Sequence, residues 1–389
     1  MKRYKQWLTA GLALGTVGAL AGCATGNSST SVTNNSVSAN SVSNVSNVVG
    51  TSAPTLSSQV YVTADKYSTK SQNVTYPQLH GLPDAGVKSR LNAILKKNAI
   101  YVPTKTYSDP SSYSYTSSYN VVFKQGNIMN IVYSSYFVPT GANHGMPEHT
   151  SLILNLKTGA TYSINEMFQP KSDYLQEISQ EVQKQDTSHV LDSFQKFTGV
   201  TDKDTMFLRE GGFVVDFGPE EWASYAQGFL DYYVPFSSVK NVIDATGPMW
   251  ASLNDSTGFS ATNYRDAEAT KISSLGYTES LHPEYETTVT TSEGSVLTAW
   301  VGNNTKTDPT ATGTLVFFFL NGKYLGTDTS KVHGAVKDVY PDGAGTIAVT
   351  YYNYSSTGVA NPFTIHYHWG GSQLVAMGTF PDRFGTSTS

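Results

Sequence analysis

Four groups of residues have types and spacings that could do chemistry. His144 and His149 bracket Gly145-Met146-Pro147-Glu148, so two imidazoles and the Glu148 carboxylate lie within one loop. That set could ligate zinc or bind a polar ligand. A turn whose histidine bonds the backbone and fixes the next strand is the simpler reading, and no metal or cofactor is assigned. His366 and His368 are two apart on an expected strand and so share a face, with His333 as the nearest third nitrogen and no carboxylate at ligand spacing. Structural or surface histidines are favoured there too. Glu220 and Glu221 are adjacent and point apart, whereas sugar hydrolysis needs two carboxylates facing one bond across about 5–10 Å. A solvated loop is expected. Trp222, Tyr225, Phe229, Tyr232 and Tyr233 form an aromatic-dense run, read mainly as core, with tyrosine hydroxyls such as those of Tyr225 and Tyr232 left at the rim for contact.

Other reaction classes lack their residues. The chain has no Gly-x-Ser-x-Gly elbow for nucleophilic hydrolysis, no Asp-Asp pair and no His-x-x-x-His for a metal-activated water. Asp216-Phe217-Gly218 mimics a kinase triplet but has no Gly-rich loop or lysine strand beside it. No catalytic set is recognised, and a non-enzyme is expected. The candidate ligand-binding residues are Asn143, His144, Glu148, His149, Tyr225 and Tyr232.

Composition narrows the setting. Of 389 residues only 14% are charged, 12% are aromatic and 25 are tyrosines, a β-leaning, extracellular balance. Net charge is −5, which gives no footprint for nucleic acid. Cys23 is the only cysteine, so no internal disulfide is possible. It ends the run Leu20-Ala21-Gly22-Cys23 after basic Lys2, Arg3 and Lys5 and a short apolar segment, the layout of a secretory signal peptide. The four-residue box resembles the bacterial lipoprotein processing site, which implies cleavage before Cys23, acylation of its thiol and a palmitate-type anchor on the extracytoplasmic face of the bacterial membrane.

The elements that must position these residues follow from pattern. Residues 1–22 read as signal peptide and 23–59 as a disordered Ser/Asn/Thr/Val tether, reaching roughly 30–35 Å by coil scaling. From 60 to 245 the expected architecture is an α+β domain, mixed sheet and helix. An amphipathic helix runs over Ala85–Ala99, with Lys88, Arg90, Lys96 and Lys97 off its apolar face. Tyr119–Phe123 and Ile128–Phe137 flank a four-residue turn as a hairpin. Asp173 caps a second helix with Gln176 three residues on. A further helical piece covers Val190–Phe197, and Phe213–Phe217 is a strand. Residues 246–271 lack period and read as a linker. Residues 272–384 form a smaller, mostly β domain.

Two resemblances emerge from these stretches. Gly141-Ala142-Asn143-His144-Gly145, Leu154-Asn155-Leu156-Lys157-Thr158-Gly159, Phe213-Val214-Val215-Asp216-Phe217 and Val234-Pro235-Phe236-Ser237 resemble the paired DUF4163 and DUF3298 families. Those modules occur in the extracellular part of a lysozyme-sensing anti-sigma-V factor and ahead of the catalytic domain of a peptidoglycan deacetylase. Leu315 to Thr327, Ile347-Ala348-Val349-Thr350-Tyr351 and Ile365-His366-Tyr367-His368-Trp369 are similar to the LppP/LprE lipoprotein domain. The resemblances imply a membrane-anchored envelope lipoprotein that binds a wall-associated ligand, either a protein such as lysozyme or a peptidoglycan fragment. A wall-modifying hydrolase using the 144–149 loop and a structural spacer or assembly lipoprotein are the alternatives.

Overall fold

The computed structural model of the chain describes residues 60–258, 264–304, 313–330, 336–354 and 360–381, and the side chains of 353, 354, 360 and 361 are left aside. The signal peptide, Cys23, the tether and His333 lie outside the described residues. The architecture is α+β: a central assembly of two sheets with helices, then a smaller, mostly β part.

A six-stranded sheet comes first, in the order β1 (Tyr61–Ser68), β2 (Gln72–His80), β3 (Tyr113–Gln125), β4 (Ile128–Pro139), β5 (Met146–Asn155) and β6 (Thr161–Tyr162). All neighbours are antiparallel except β2 and β3, whose parallel pairing requires a crossover. Helix α1 (Ala85–Ala99) supplies it, over the residues that the apolar spacing predicts. Its start is fixed by Asp84, whose carboxylate accepts from the N–H groups of Gly86 and Val87 at 2.7 and 2.9 Å. Val87, Leu91, Leu95 and Ala99 are buried on one sheet face with Tyr113, Tyr115, Tyr119 and Tyr133.

The β3–β4 turn is tighter than expected, since Gln125 pairs with Ile128 and only Gly126 and Asn127 lie between. Gly126 has φ +58, and a Cβ there would lie 2.2 Å from the Ser252 carbonyl, so only glycine fits. Asn127 N–H donates to that carbonyl at 2.8 Å.

Helix α2 (Tyr174–Gln185) starts where expected, but the Asp173 side chain makes no capping bond. Its backbone, at φ −85 and ψ 38, is not the extended conformation that turns a cap side chain over the helix end. Val190–Phe197 shortens to a single turn, Val190–Asp192. The Asp186 carboxylate takes the N–H groups of Val190 and Leu191, and Asp192 takes that of Phe197, so side-chain acceptors displace the helical ladder.

A three-stranded sheet, β7 (Thr205–Arg209), β8 (Gly212–Phe217) and β9 (Leu230–Pro235), packs against the second face of the first sheet, and α2 packs on β9. The stretch expected as a linker carries α3 (Pro248–Leu253) and α4 (Arg265–Ser274). Met249 and Leu253 of α3 are buried in the core that joins the two central sheets.

The C-terminal part is a sandwich. One layer pairs β10 (Tyr277–Glu279), β11 (Glu286–Thr290), β12 (Val296–Asn304), β13 (Thr314–Leu320) and β14 (Lys323–Thr327). The other is β15 (Val336–Pro341), β16 (Thr346–Tyr354), β17 (Ala360–Trp369) and β18 (Leu374–Met377). Leu297, Val301, Val316 and Phe318 meet Val339, Ile347, Val349 and Ile365 between them. Ile272 of α4 packs against Trp300, Leu315, Phe317 and Phe319 on the outer face of the first layer.

Candidate functional site

The site arises where the second face of the six-stranded sheet changes character. Along β3, Tyr113, Tyr115 and Tyr119 point to the α1 core, so Ser114, Thr116, Ser118 and Asn120 fall on the opposite face. A register shift between Val121 and Phe123 marks a bulge, and beyond it Val122 and Phe123 both join the core under the three-stranded sheet. On β4 the same change occurs between Val132, which is core, and Ser134, the cross-strand partner of Ser118. One sheet face is therefore apolar at one end and hydroxyl-rich at the other.

The hydroxyl-rich end floors a cleft of 440 Å³. Thr116, Ser118 and Ser134 line its sheet side, with Tyr136 at hand, and Lys337, Asp338 and Tyr340 of β15 line the side formed by the C-terminal sandwich. Ser134 Oγ and Asp338 Oδ1 are buried without a hydrogen-bond partner. Burial, and then the nearby Glu284 charge, push the Asp338 carboxyl up to about 7, against the opposing pull of Lys337 and of the Asn120 and Ser118 side chains. Glu284 lines the same cleft. Burial alone would raise its carboxyl, but His149 and then His282 outweigh it and hold Glu284 down at about 2.

Behind Glu284 lies a buried charge network. His149 Nδ1 donates to Asp216, its Nε2 stands 3.3 Å from Glu284 Oε2, and its ring stacks on Phe229 at 3.7 Å. Burial disfavours the imidazolium, yet Asp216 and Glu284 together outweigh it and keep His149 well above the usual histidine range. His282 Nδ1 pairs with Asp231 at 2.7 Å, and its ring is likewise raised, to about 9, with burial opposing. His282, Asp231, Phe229 and Tyr232 line a second cleft, of 360 Å³.

The residues singled out from sequence separate in space. His149 is only 4% exposed, and both ring nitrogens face carboxylates, so it is neither a loop ligand nor a free base. The 144–149 loop is short because β5 already begins at Met146. His144 instead packs on the Tyr225 ring at 4.4 Å and contacts its neighbour's carbonyl through Nδ1. Tyr225 donates to the Gly145 carbonyl, and the Gly145 N–H donates to the Tyr136 hydroxyl at 2.8 Å. That chain ties the loop to the cleft through Tyr136. Asn143 is exposed, and Glu148 is half-buried with its carboxyl raised by burial. Tyr232 is buried and donates to Asp186 at 3.3 Å. Trp222 is buried against Phe197 and Phe217. Glu220 is exposed, and Glu221 accepts from the Gly218 N–H. His366 pairs with Asp342 at 2.8 Å and His368 with Thr346 at 2.9 Å.

Sequence reasoning missed Asp216, Asp231, His282, Glu284 and Asp338. Two signals could have found some of them. Asp216 is a lone acid in the otherwise apolar strand Gly212–Phe217, where every residue is buried, and such an acid needs a partner. The alternation of Tyr with Ser, Thr and Asn over Tyr113–Asn120 marks a strand with one packed and one polar face.

Comparisons with known proteins match parts of the chain. Two solved structures align with about half of the chain. A DUF3298-family member from Bacteroides fragilis shares 11% identity, with 50% of this chain and 97% of that one covered at a TM-score of 0.38. A DUF3298-family protein from Pseudomonas aeruginosa PAO1 shares 15% identity, with 49% and 95% covered at a TM-score of 0.37. Among curated proteins none matches. Residues 290–372, most of the C-terminal sandwich, match the LppP/LprE lipoprotein family, which associates the chain with the cell envelope.

Proposed function

We propose that this is a lipid-anchored, extracytoplasmic lipoprotein that binds a glycan fragment of the cell wall in the 440 Å³ cleft between the six-stranded sheet and the C-terminal sandwich. The observation that carries the reading is that Ser134 Oγ and one Asp338 carboxyl oxygen, Oδ1, are buried without a hydrogen-bond partner among the described residues and belong to residues lining one cleft. Other buried polar atoms of the fold also lack partners, but these two belong to one cleft, where a hydroxylated ligand would satisfy both. The volume falls within the range of small-molecule sites, about 300–1,000 Å³. Tyr136 and Tyr340 add ring surface and hydroxyls, a mixture suited to sugar rather than to the broad face of a protein ligand such as lysozyme.

A second reading is favoured by one observation. Asp338 at about 7 and Glu284 at about 2 line the same cleft, and carboxyls driven apart in this way can divide acid and base roles in glycoside hydrolysis. It relocates the hydrolase alternative from the 144–149 loop to a carboxyl pair. Incubating the chain with muropeptides while measuring both association and release of new reducing ends separates the readings. Association without product supports a binder. Product that disappears in Glu284→Gln and Asp338→Asn supports a hydrolase, and neither association nor product leaves the spacer role.

A further inference from the structure

Charge is unevenly distributed along the fold. Between residues 60 and 107 seven basic residues stand against two acids, Asp65 and Asp84, whereas the other 28 of the 30 acids follow residue 107. Helix α1 lies at the centre of this basic segment and contains no acid. Arg90, Lys96 and Lys97 are exposed on its solvent face, with Lys88 half-buried at the margin and Lys105 exposed just beyond the helix. Beside them Val102 is 72% exposed, the most exposed of the large apolar side chains among the described residues. The described fold begins near the opposite, N-terminal end of α1, where Tyr61 pairs with His80, while Tyr101, the neighbour of Val102, bonds Gln72 at the far end of β2.

We infer that the basic face of α1, with Val102, docks on the anionic headgroups of the membrane that holds the chain. The inference rests on the lipid-anchor reading. One feature favours a bilayer over an anionic wall polymer. An aqueous polyanion has no use for an exposed valine, whereas an apolar residue beside lysines enters the headgroup boundary. Lys96 additionally covers the Tyr76 ring at 5.4 Å, and Arg90 donates to the Thr158 carbonyl, so both side chains are held in place before docking. Docking would hold the strands of the six-stranded sheet nearest α1 toward the membrane while the acidic remainder is repelled from it.

The test uses the full, lipidated chain carrying Val102→Cys with an environment-sensitive fluorophore. Cys23 is the chain's one native cysteine; in the anchor reading the lipid caps its sulfur, and the same labelling of the chain without Val102→Cys checks that Cys23 takes no fluorophore. A second chain carries the label through Val375→Cys, an apolar position 40% exposed on β18. Both are placed in phosphatidylcholine vesicles and in mixed phosphatidylcholine–phosphatidylglycerol vesicles, with flotation and acrylamide quenching read together. Protection of position 102 in the mixed vesicles alone, with position 375 quenched equally in both, is the expected result. Each basic side chain at an anionic surface strengthens binding on the order of fivefold, so Lys97→Gln with Lys105→Gln weakens docking on the order of 25-fold, and added salt does the same. Equal quenching at 102 in both vesicle types overturns the inference. Protection raised equally by soluble polyphosphate over phosphatidylcholine also overturns it and reassigns the face to a polymer. Flotation with phosphatidylcholine reports the anchor separately. If it is absent while mixed vesicles still protect position 102, docking stands and the anchor reading falls.

Discussion

The six-stranded sheet makes two contacts with one face, and they are built in opposite ways. Toward β7–β9 it offers Ile128, Val132, Val122 and Phe123, and Phe207 and Val214 share the dry core with them. Toward the C-terminal sandwich it offers Thr116, Ser118, Asn120 and Ser134, met by carboxyls, a lysine and tyrosines. Asn120 donates to the Val339 carbonyl there, and beside it Arg209 of β7 pairs with Glu286 of β11 at 3.1 Å. The apolar contact is what stability alone would select. Buried ion pairs seldom stabilise a fold beyond a well-packed apolar replacement, so the polar contact is better explained by a ligand than by folding.

The comparison can be broken most severely on its apolar side. Phe207→Ala removes a fully buried ring and is expected to cost about 3–5 kcal/mol in denaturant unfolding. A loss under about 1 kcal/mol, the range of a surface change, would show that β7–β9 are not held by that core. On the polar side Arg209→Met leaves the buried Glu286 unpaired and is expected to destabilise by about 3–5 kcal/mol. Arg209→Met with Glu286→Met should recover most of that loss, and a double variant as unstable as the single would assign Arg209 a structural role beyond its charge.

Asp338 gives a smaller effect with a defined sign. Its carboxyl is raised from the ordinary 3.8 to about 7, so between those values the folded chain holds a proton that the unfolded chain has released. Its contribution to stability is present below about pH 4 and is lost as the pH climbs through about 7. Asp338→Asn should therefore leave stability unchanged at pH 4 and raise it by about 1–3 kcal/mol at pH 8. A parallel pH profile for the two proteins would contradict the burial of that carboxyl. Least of all should Ser134→Ala affect folding, by within about 0.5 kcal/mol, because its hydroxyl bonds to nothing among the described residues.

Local features were legible in the sequence and distant ones were not. Helix α1 follows from one apolar stripe and Asp84, and β8 from its apolar run, because each depends on residues close in the chain. The capping role expected of Asp173 failed on a backbone angle, which spacing does not encode. The 246–271 stretch lacks period because α3 buries only Met249 and Leu253 and seats itself through the β3–β4 turn, a contact set by Gly126. The cleft was illegible for a further reason. Asn120 and Val339 are 219 residues apart, and His149 meets Asp216 and Glu284 only after three sheets have assembled. A histidine and a carboxylate in one loop had suggested a site at 144–149. Tertiary packing instead drew His149 inward and left His144 on Tyr225.

The central claim is that the polar contact exists for a ligand, and calorimetric titration of the chain with disaccharide muropeptides tests it most directly. The account predicts saturable binding to the intact chain, weakened about tenfold by Ser134→Ala, the loss of one bond to a buried group, with the fold unchanged. Absence of binding, or binding of equal strength in the Ser134→Ala and Asp338→Asn variants, would contradict it.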